Sequence, residues 1–156
     1  MNTSLSILVH GESKAGKSVL AVSGAPPRLL LDVESAARFL PIRAVEWDPR
    51  NEPPTFKDPE GPDTAVVTVR HWDDAKRAYD WLHSGRHPFR SVAVDSISEL
   101  QQRYIESLAG RGTVKIDQWG TIFREVGGFV RDLRDQCVLC VLCVLWVGCT
   151  ISHAER

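Results

Sequence analysis

Apolar runs of strand length alternate along this chain with longer segments of helical character. "LSILVHG" (5–11) reads as a first strand, followed by a short helix in "GKSVLAVSG" that Gly24 and "APP" close. "RLLLDVE" (28–34) carries a continuous apolar run, the pattern of a strand buried on both faces. "TAVVTVR" (64–70) and "FRSVAVDS" (89–96) read as a third and a fourth strand, and "VLCVLWVGCTIS" (141–152) contains a fifth, ending near Ser152. Between them, "WDDAKRAYDWLHSG" (72–85) places Ala75, Ala78, Tyr79 and Leu82 at helical spacing, with acids in its first turn and Gly85 after its end. "SISELQQRYIESLAG" (96–110) and "IDQWGTIFREVGGFVRDLRDQ" (116–136) are two further helices. The second has an apolar stripe of Trp119, Ile122, Phe123, Val126, Val130 and Leu133. Strands alternating with helices predict an α/β fold, here with a mainly parallel five-stranded sheet flanked by helices.

One segment breaks the alternation. "WDPRNEPPTFKDPEGPDT" (47–64) holds five prolines, so no helix or central strand can run through it. Strand-like segments continue on both sides, which makes it a proline-rich surface insertion within one domain spanning 1–156. The chain stops four residues after Ser152, and a further C-terminal portion is expected.

Composition narrows the reading. A hydrophobic share of 43% with 25% charged residues is that of an ordinary soluble domain, and the formal net charge of -1 gives no global basic field for nucleic acid. The N-terminus lacks a basic segment followed by a long apolar run, so no secretory signal is expected. The most apolar stretch, residues 137–151, falls short of the roughly 20 residues that cross a bilayer. No membrane partner is expected. All four cysteines (Cys137, Cys140, Cys143, Cys149) lie in that stretch. Their C-x2-C-x2-C start superficially matches iron–sulfur ligation, but Val and Leu alone fill the gaps. Buried free cysteines of a cytoplasmic protein are the reading we adopt.

The chemistry begins where the first strand ends. Gly11, Glu12, Ser13, Lys14, Ala15, Gly16, Lys17 and Ser18 form a complete G-x4-G-K-S loop between a strand and a helix, followed by Val19. The two glycines allow a tight turn, and the backbone N–H groups between them converge on a β-phosphate. Lys17 reaches the β- and γ-phosphates, the Ser18 hydroxyl suits Mg²⁺, and the helix start adds its dipole. ATP and Mg²⁺ are therefore the expected cofactors. The second half of such a site is an apolar strand ending in Asp. "SVAVDS" supplies Asp95, which would hold the Mg²⁺ through water or, alternatively, cap the helix that follows.

Hydrolysis also needs a group that orients and deprotonates water. Ser96, not Glu, follows Asp95, and Glu99 lies a helical turn on. Glu34, at the end of "LLLDVE" and on the same face as Asp32, is the other candidate. The competing view makes Asp32 and Glu34 a pair of helix-capping acids before "SAARFL".

Taken in order, "GESKAGKS", "RLLLDVES", "SVAVDSISEL", "QWGTIFREVGGFVRDLRD" and "TISHAE" resemble the phage-encoded RecA-like P-loop ATPases, a family linked to single-strand annealing and homologous recombination. The resemblance covers most of the chain except the proline-rich insertion. It implies a RecA-like core in which Lys17 and Ser18 bind phosphate and Mg²⁺. Asp95 becomes the Mg²⁺-side acid and Glu34 the catalytic base, with Ser152 or His153 sensing the γ-phosphate. It further implies single-stranded DNA as a partner, a homo-oligomeric ring or filament with ATP at its interfaces, and a host-cytoplasmic location. Arg124, Arg131 and Arg134 are candidates for a cation supplied in trans, or else a solvated helix face. The family often has glycines after the catalytic glutamate, where this chain has "SAAR" (35–38).

Other readings share the loop. A nucleotide or small-molecule kinase needs an arginine-rich lid, and "AGRGTVKIDQ" (109–118) is short and weakly basic. A GTPase switch needs an Asn/Thr-Lys-x-Asp motif, which the sequence lacks. An ATP-gated assembly or packaging subunit would share the fold and differ in whether Glu34 works.

Overall fold

The computed structural model describes residues 5–12, 14–110, 112–136 and 139–145. Elements follow in the order β1 (Leu5–Gly11), α1 (Lys17–Ala21), β2 (Arg28–Asp32), β3 (Ala44–Glu46), β4 (Thr64–Thr68), α2 (Trp72–His83), β5 (Ser91–Asp95), α3 (Ile97–Ala109), α4 (Ile116–Gln136) and β6 (Leu139–Leu145). A single 3-10 turn over Ala37–Phe39 lies between β2 and β3. The fold is α/β, with a parallel sheet in the order β1-β6-β5-β2-β4-β3.

The sheet has six strands rather than the expected five. The extra one, β3, is three residues long at the sheet edge, too short to leave a periodic signal. The fifth expected strand begins at Leu139, two residues earlier than "VLCVLWVGCTIS", and its expected end at Ser152 lies outside the described residues.

Alternation along the inner strands sorts their side chains between two cores. Leu29, Leu31, Ala65, Val67, Val92 and Val94 face α2, α3 and α4 and meet Ala75, Ala78, Leu82, Leu100, Ile122 and Leu133. Leu30, Val66 and Ala93 face the other way, toward Ala21 and Val22 around α1. Burial on both faces is why these strands read as unbroken apolar runs.

Two details of the sequence reading change. On α4, Ile122, Val126, Phe129 and Leu133 are buried, whereas Phe123 is 65% exposed and Trp119 39%. The buried stripe is thus rotated toward Phe129, because α4 packs on α2 through Trp72 and Tyr79, whose rings lie 5.2 and 5.9 Å from that of Phe129.

The proline-rich insertion is also more than surface. Parallel neighbours need a crossover, and between β3 and β4 residues 47–63 make it as irregular chain. Trp47 is buried there, its ring 5.5 Å from that of Phe89, and the Phe56 ring lies 6.1 Å from Phe89. At the loop's end Asp63 joins Arg28 (2.9 Å) and Arg43 (3.4 Å), tying it to β2. Burial raises the proton affinity of Asp63, but hydrogen bonds from Thr64, Arg28 and Arg43 and the Arg28 charge outweigh it and leave the pKa lowered.

Two outcomes follow for stability. Leu100→Ala, at a fully buried site, should cost about 2–5 kcal/mol in denaturant unfolding, and Phe123→Ala no more than about 0.5 kcal/mol. Because the Asp63 pKa is depressed in the fold, its contribution is present above the ordinary carboxylate pKa and lost as pH falls through the native value. Asp63→Asn should therefore lower stability by about 1–2 kcal/mol at neutral pH, with the difference from wild type shrinking in acid-titrated unfolding curves.

Candidate nucleotide site

In a parallel α/β sheet ligands gather at the C-terminal strand ends, and the chemistry-bearing residues meet there. β1 ends at Gly11, and β2 and β5 end at Asp32 and Asp95, which are direct register partners. β6 runs between β1 and β5, which sets those two strands about 10 Å apart. Backbone bonds stitch the ends together: Val33 N–H donates to the Asp95 carbonyl (2.8 Å) and Val69 N–H to that of Asp32 (2.9 Å).

The loop after β1 turns through left-handed backbone at Lys14 (φ 65°) and Gly16 (φ 81°). Gly16 is the glycine its conformation requires. A Cβ on Gly11 would meet the Ala15 Cβ at an ordinary 3.8 Å, so Gly11 is not forced on steric grounds. The Ala15 N–H closes the turn on the Glu12 carbonyl (3.3 Å). Lys17 is buried, and its ammonium donates to the carbonyls of Gly11 (2.9 Å) and Glu12. The loop thus wraps its own lysine with the kind of oxygen ligands a phosphate would offer. α1 is only five residues long, too short for the dipole contribution that the sequence suggested. Lys17 and the loop N–H groups are what the chain offers to an anion at this strand end. Val19 is half exposed on α1, and Ser13 lies outside the described residues.

Ser18, one residue on, hydrogen-bonds to the Asp95 carboxylate. Asp95 is 3% exposed, and its Oδ2 is buried with no hydrogen-bond partner. A hydroxyl beside a buried carboxylate oxygen that lacks a donor fits a hard cation such as Mg²⁺, whose remaining ligands would be phosphate oxygens and water. Burial pushes the Asp95 pKa up; Ser18 and the Lys17 charge pull it down and the Asp32 charge raises it, for a net increase. Asp95 does not cap α3. Ser96 does, accepting from Glu99 N–H at 3.4 Å.

The two acids at the end of β2 take different roles. Asp32, also buried, accepts from the N–H groups of Ala36 and Ala37, each at 3.0 Å, and so caps the 3-10 turn. Glu34 does not join it. Its carboxylate reaches across to the Ser96 hydroxyl, close to Asp95, Glu99 and Asp32. Desolvation raises the Glu34 pKa; the Ser96 bond lowers it, the three carboxylates raise it, and the balance is upward.

The structure thus brings Lys17, Ser18, Asp95 and Glu34 to one strand-end cluster. Ser152 and His153 lie outside the described residues, as do Cys137 and Cys149. Among the described residues no group of three or more metal-ligating side chains occurs, and no helix is long and apolar enough to cross a membrane. Arg134 pairs with Asp135 (2.9 Å) and Arg124 bonds Thr121 (3.5 Å), both on α4 itself. Sequence reasoning missed the link from Ser96 to Glu34, although "SISE" (96–99) carries the S-x-x-E signature of a helix start. It also missed a cavity of about 510 Å³ at the ends of β3 and β4, lined by Glu46, Trp47, Arg50, Thr68, Arg70 and His71 among others. Thr68 is the register partner of Asp32, which places the cavity beside the cluster. No protein-family model and no curated protein matches the sequence.

Both Glu34 and Asp95 hold protons more tightly in the fold than in the unfolded chain. Below the ordinary carboxylate pKa this costs nothing. As pH rises through it the unfolded chain releases its protons first, so stability falls until the raised native values are passed. Asp95→Asn should therefore raise the Tm of the nucleotide-free protein at about pH 7, with the gain vanishing near pH 3. A pH series of thermal melts checks it.

Proposed function

We propose that this chain is an ATP-binding, ATP-hydrolysing module with a P-loop, RecA-like core, acting in phage-type DNA recombination or single-strand annealing. The observation that carries the reading is the Ser18–Asp95 contact with its partnerless Oδ2, beside a phosphate-type loop and a carboxylate of raised proton affinity. Loop N–H groups and Lys17 would hold the phosphates, with Lys17 exchanging its carbonyl partners for phosphate oxygens. Ser18 and, through water, Asp95 would hold Mg²⁺, which supplies charge neutralisation on the β- and γ-phosphates. Glu34 accepts the proton of the attacking water as its oxygen bonds to the γ-phosphorus and the bond to the β-phosphate oxygen breaks, leaving ADP and phosphate. Its raised proton affinity makes it a stronger base than an ordinary glutamate.

The DNA partner, the ring or filament with an arginine supplied in trans, and the host cytoplasm rest on the resemblance of the motifs. A second reading, a nucleotide or small-molecule kinase, draws on the cavity beside Thr68, two strands from Asp95, where an acceptor has room.

ATP turnover with and without single-stranded DNA tests the proposal. Lys17→Ala should abolish nucleotide binding, while Glu34→Gln should bind ATP normally and lose about 10²–10⁴-fold in kcat. DNA should stimulate the wild type. Phosphate transfer to a small acceptor without DNA stimulation would overturn the proposal in favour of the kinase.

A further inference from the structure

The connection from α2 to β5 (84–90) enters the parallel sheet at the end opposite Asp95 and the phosphate loop. There a cavity of about 480 Å³ opens between that connection and the proline-rich insertion. The insertion supplies Pro53, Pro54 and Phe56, while α2 and its connection supply Trp81, Arg86 and His87. Phe56, Trp81 and His87 are half-buried, so the core leaves part of each ring free for another partner.

Local contacts fix three polar side chains here, and two of them keep donors to spare. The Trp81 indole N–H donates to the Pro49 carbonyl at 2.9 Å, which ties its ring to the insertion. The Arg86 guanidinium carbon sits 5.3 Å from a Trp81 ring centre. Among the described residues that guanidinium forms no ion pair. The His87 ring stacks on Phe89, with centres 5.7 Å apart and planes at 15°, and its Nδ1 accepts the Phe89 N–H at 3.2 Å. A neutral ring that accepts at Nδ1 carries its proton on Nε2. Burial lowers the His87 pKa and favours this neutral form. Among the described residues no acceptor takes the Nε2–H, and the atom is not sealed in the core.

Aromatic and proline walls thus meet two donors that have no acceptor. A cavity of this kind takes a largely apolar ligand and orients it through a few polar groups. One cation and one neutral N–H suit the two oxygens of a carboxylate. The Glu52 carboxylate, also at the cavity, disfavours a second negative charge. The walls suit a flat ring system, which gives up little conformational freedom on binding. We propose that this cavity is a second ligand site, for a planar aromatic ring bearing a carboxylate, held by Arg86 and the His87 Nε2–H. The site is independent of the hydrolytic reading, since it shares no residue with the strand-end cluster.

Calorimetric titration of the full chain with indole-3-acetate, indole and acetate tests the proposal. Indole-3-acetate should bind with a dissociation constant of about 1 mM or tighter. Indole, the ring without the anion, and acetate, the anion without the ring, should each bind at least about ten-fold more weakly. Arg86→Gln, at an exposed position, should weaken indole-3-acetate about ten-fold without lowering the Tm. His87→Phe, which keeps the stack on Phe89 and removes the donor, should have a similar effect; Arg86→Gln decides the matter if that variant is unstable. Lys17→Ala and Arg50→Gln should leave the affinity within about two-fold of wild type. No binding at about 10 mM, equal affinity for indole, or an affinity that Arg86→Gln leaves unchanged overturns the proposal.

Backbone amide NMR shifts give the second reading. Indole-3-acetate should move the amides of Thr55, Phe56, Arg86 and His87 and leave those of 11–18 in place. Shifts confined to 11–18 would put the anion in the phosphate loop and overturn the assignment. A wild type that fails to bind ATP, yet shows the shifts at Phe56 and His87, removes the nucleotide proposal and leaves this site standing.

Discussion

An ionised carboxylate removed from water needs donors or a cation, and two of them meet that demand side by side at the ends of β2 and β5. Asp32 and Asp95 are opposite each other in register and equally buried. Asp32 takes two backbone N–H groups and becomes part of the turn it organises. Asp95 takes the Ser18 hydroxyl and keeps one oxygen without a donor. The remaining site geometry follows from this difference. The turn capped by Asp32 brings Glu34 back over β5, and the unsatisfied oxygen of Asp95 marks where a cation is of most use.

The sheet makes the arrangement possible. All the paired strands run parallel, so their C-terminal ends share one edge, and helices or irregular chain must cover both faces. Phosphate loop, capped turn and helix α3 all start from that edge. Raised proton affinity at Asp95 and Glu34 comes first from desolvation and then from the neighbouring carboxylates, and such perturbed groups cluster at functional sites. The same cluster that would serve catalysis weakens the nucleotide-free fold at neutral pH.

Much of this was legible along the chain. The expected helix over 116–136 is α4, and the strands at 5–11, 28–34, 64–70 and 89–96 agree with β1, β2, β4 and β5 to within two residues at their ends, because long periodic or fully apolar segments announce themselves. The three-residue β3 was not legible, since its pairing comes from β4 and not from its own pattern. The exposure of Phe123 was not legible either. Helical spacing shows that a stripe exists, while the angle at which α4 meets α2 decides which edge of it is buried. The insertion at 47–63 announced its prolines but not the aromatic contacts of Trp47 and Phe56 with Phe89, which join residues distant in sequence.

The sequence by itself determined the alternation of strands and helices, the loop from Gly11 to Ser18 and the acids at strand ends, because each is a local pattern of residue type and spacing. Tertiary structure alone decided how the ambiguous acids divide their work. Along the chain Glu34 read as the catalytic base or, with Asp32, as a cap, and Asp95 as the Mg²⁺-side acid or a helix cap, with Ser96 simply beside it. Register between β2 and β5, together with the position of α1 above them, assigned capping to Asp32 and Ser96 and left Asp95 to Ser18 and Glu34 to Ser96. Hydrogen bonds between segments more than 60 residues apart have no trace in local spacing, and they exist only once the sheet has brought those strand ends together.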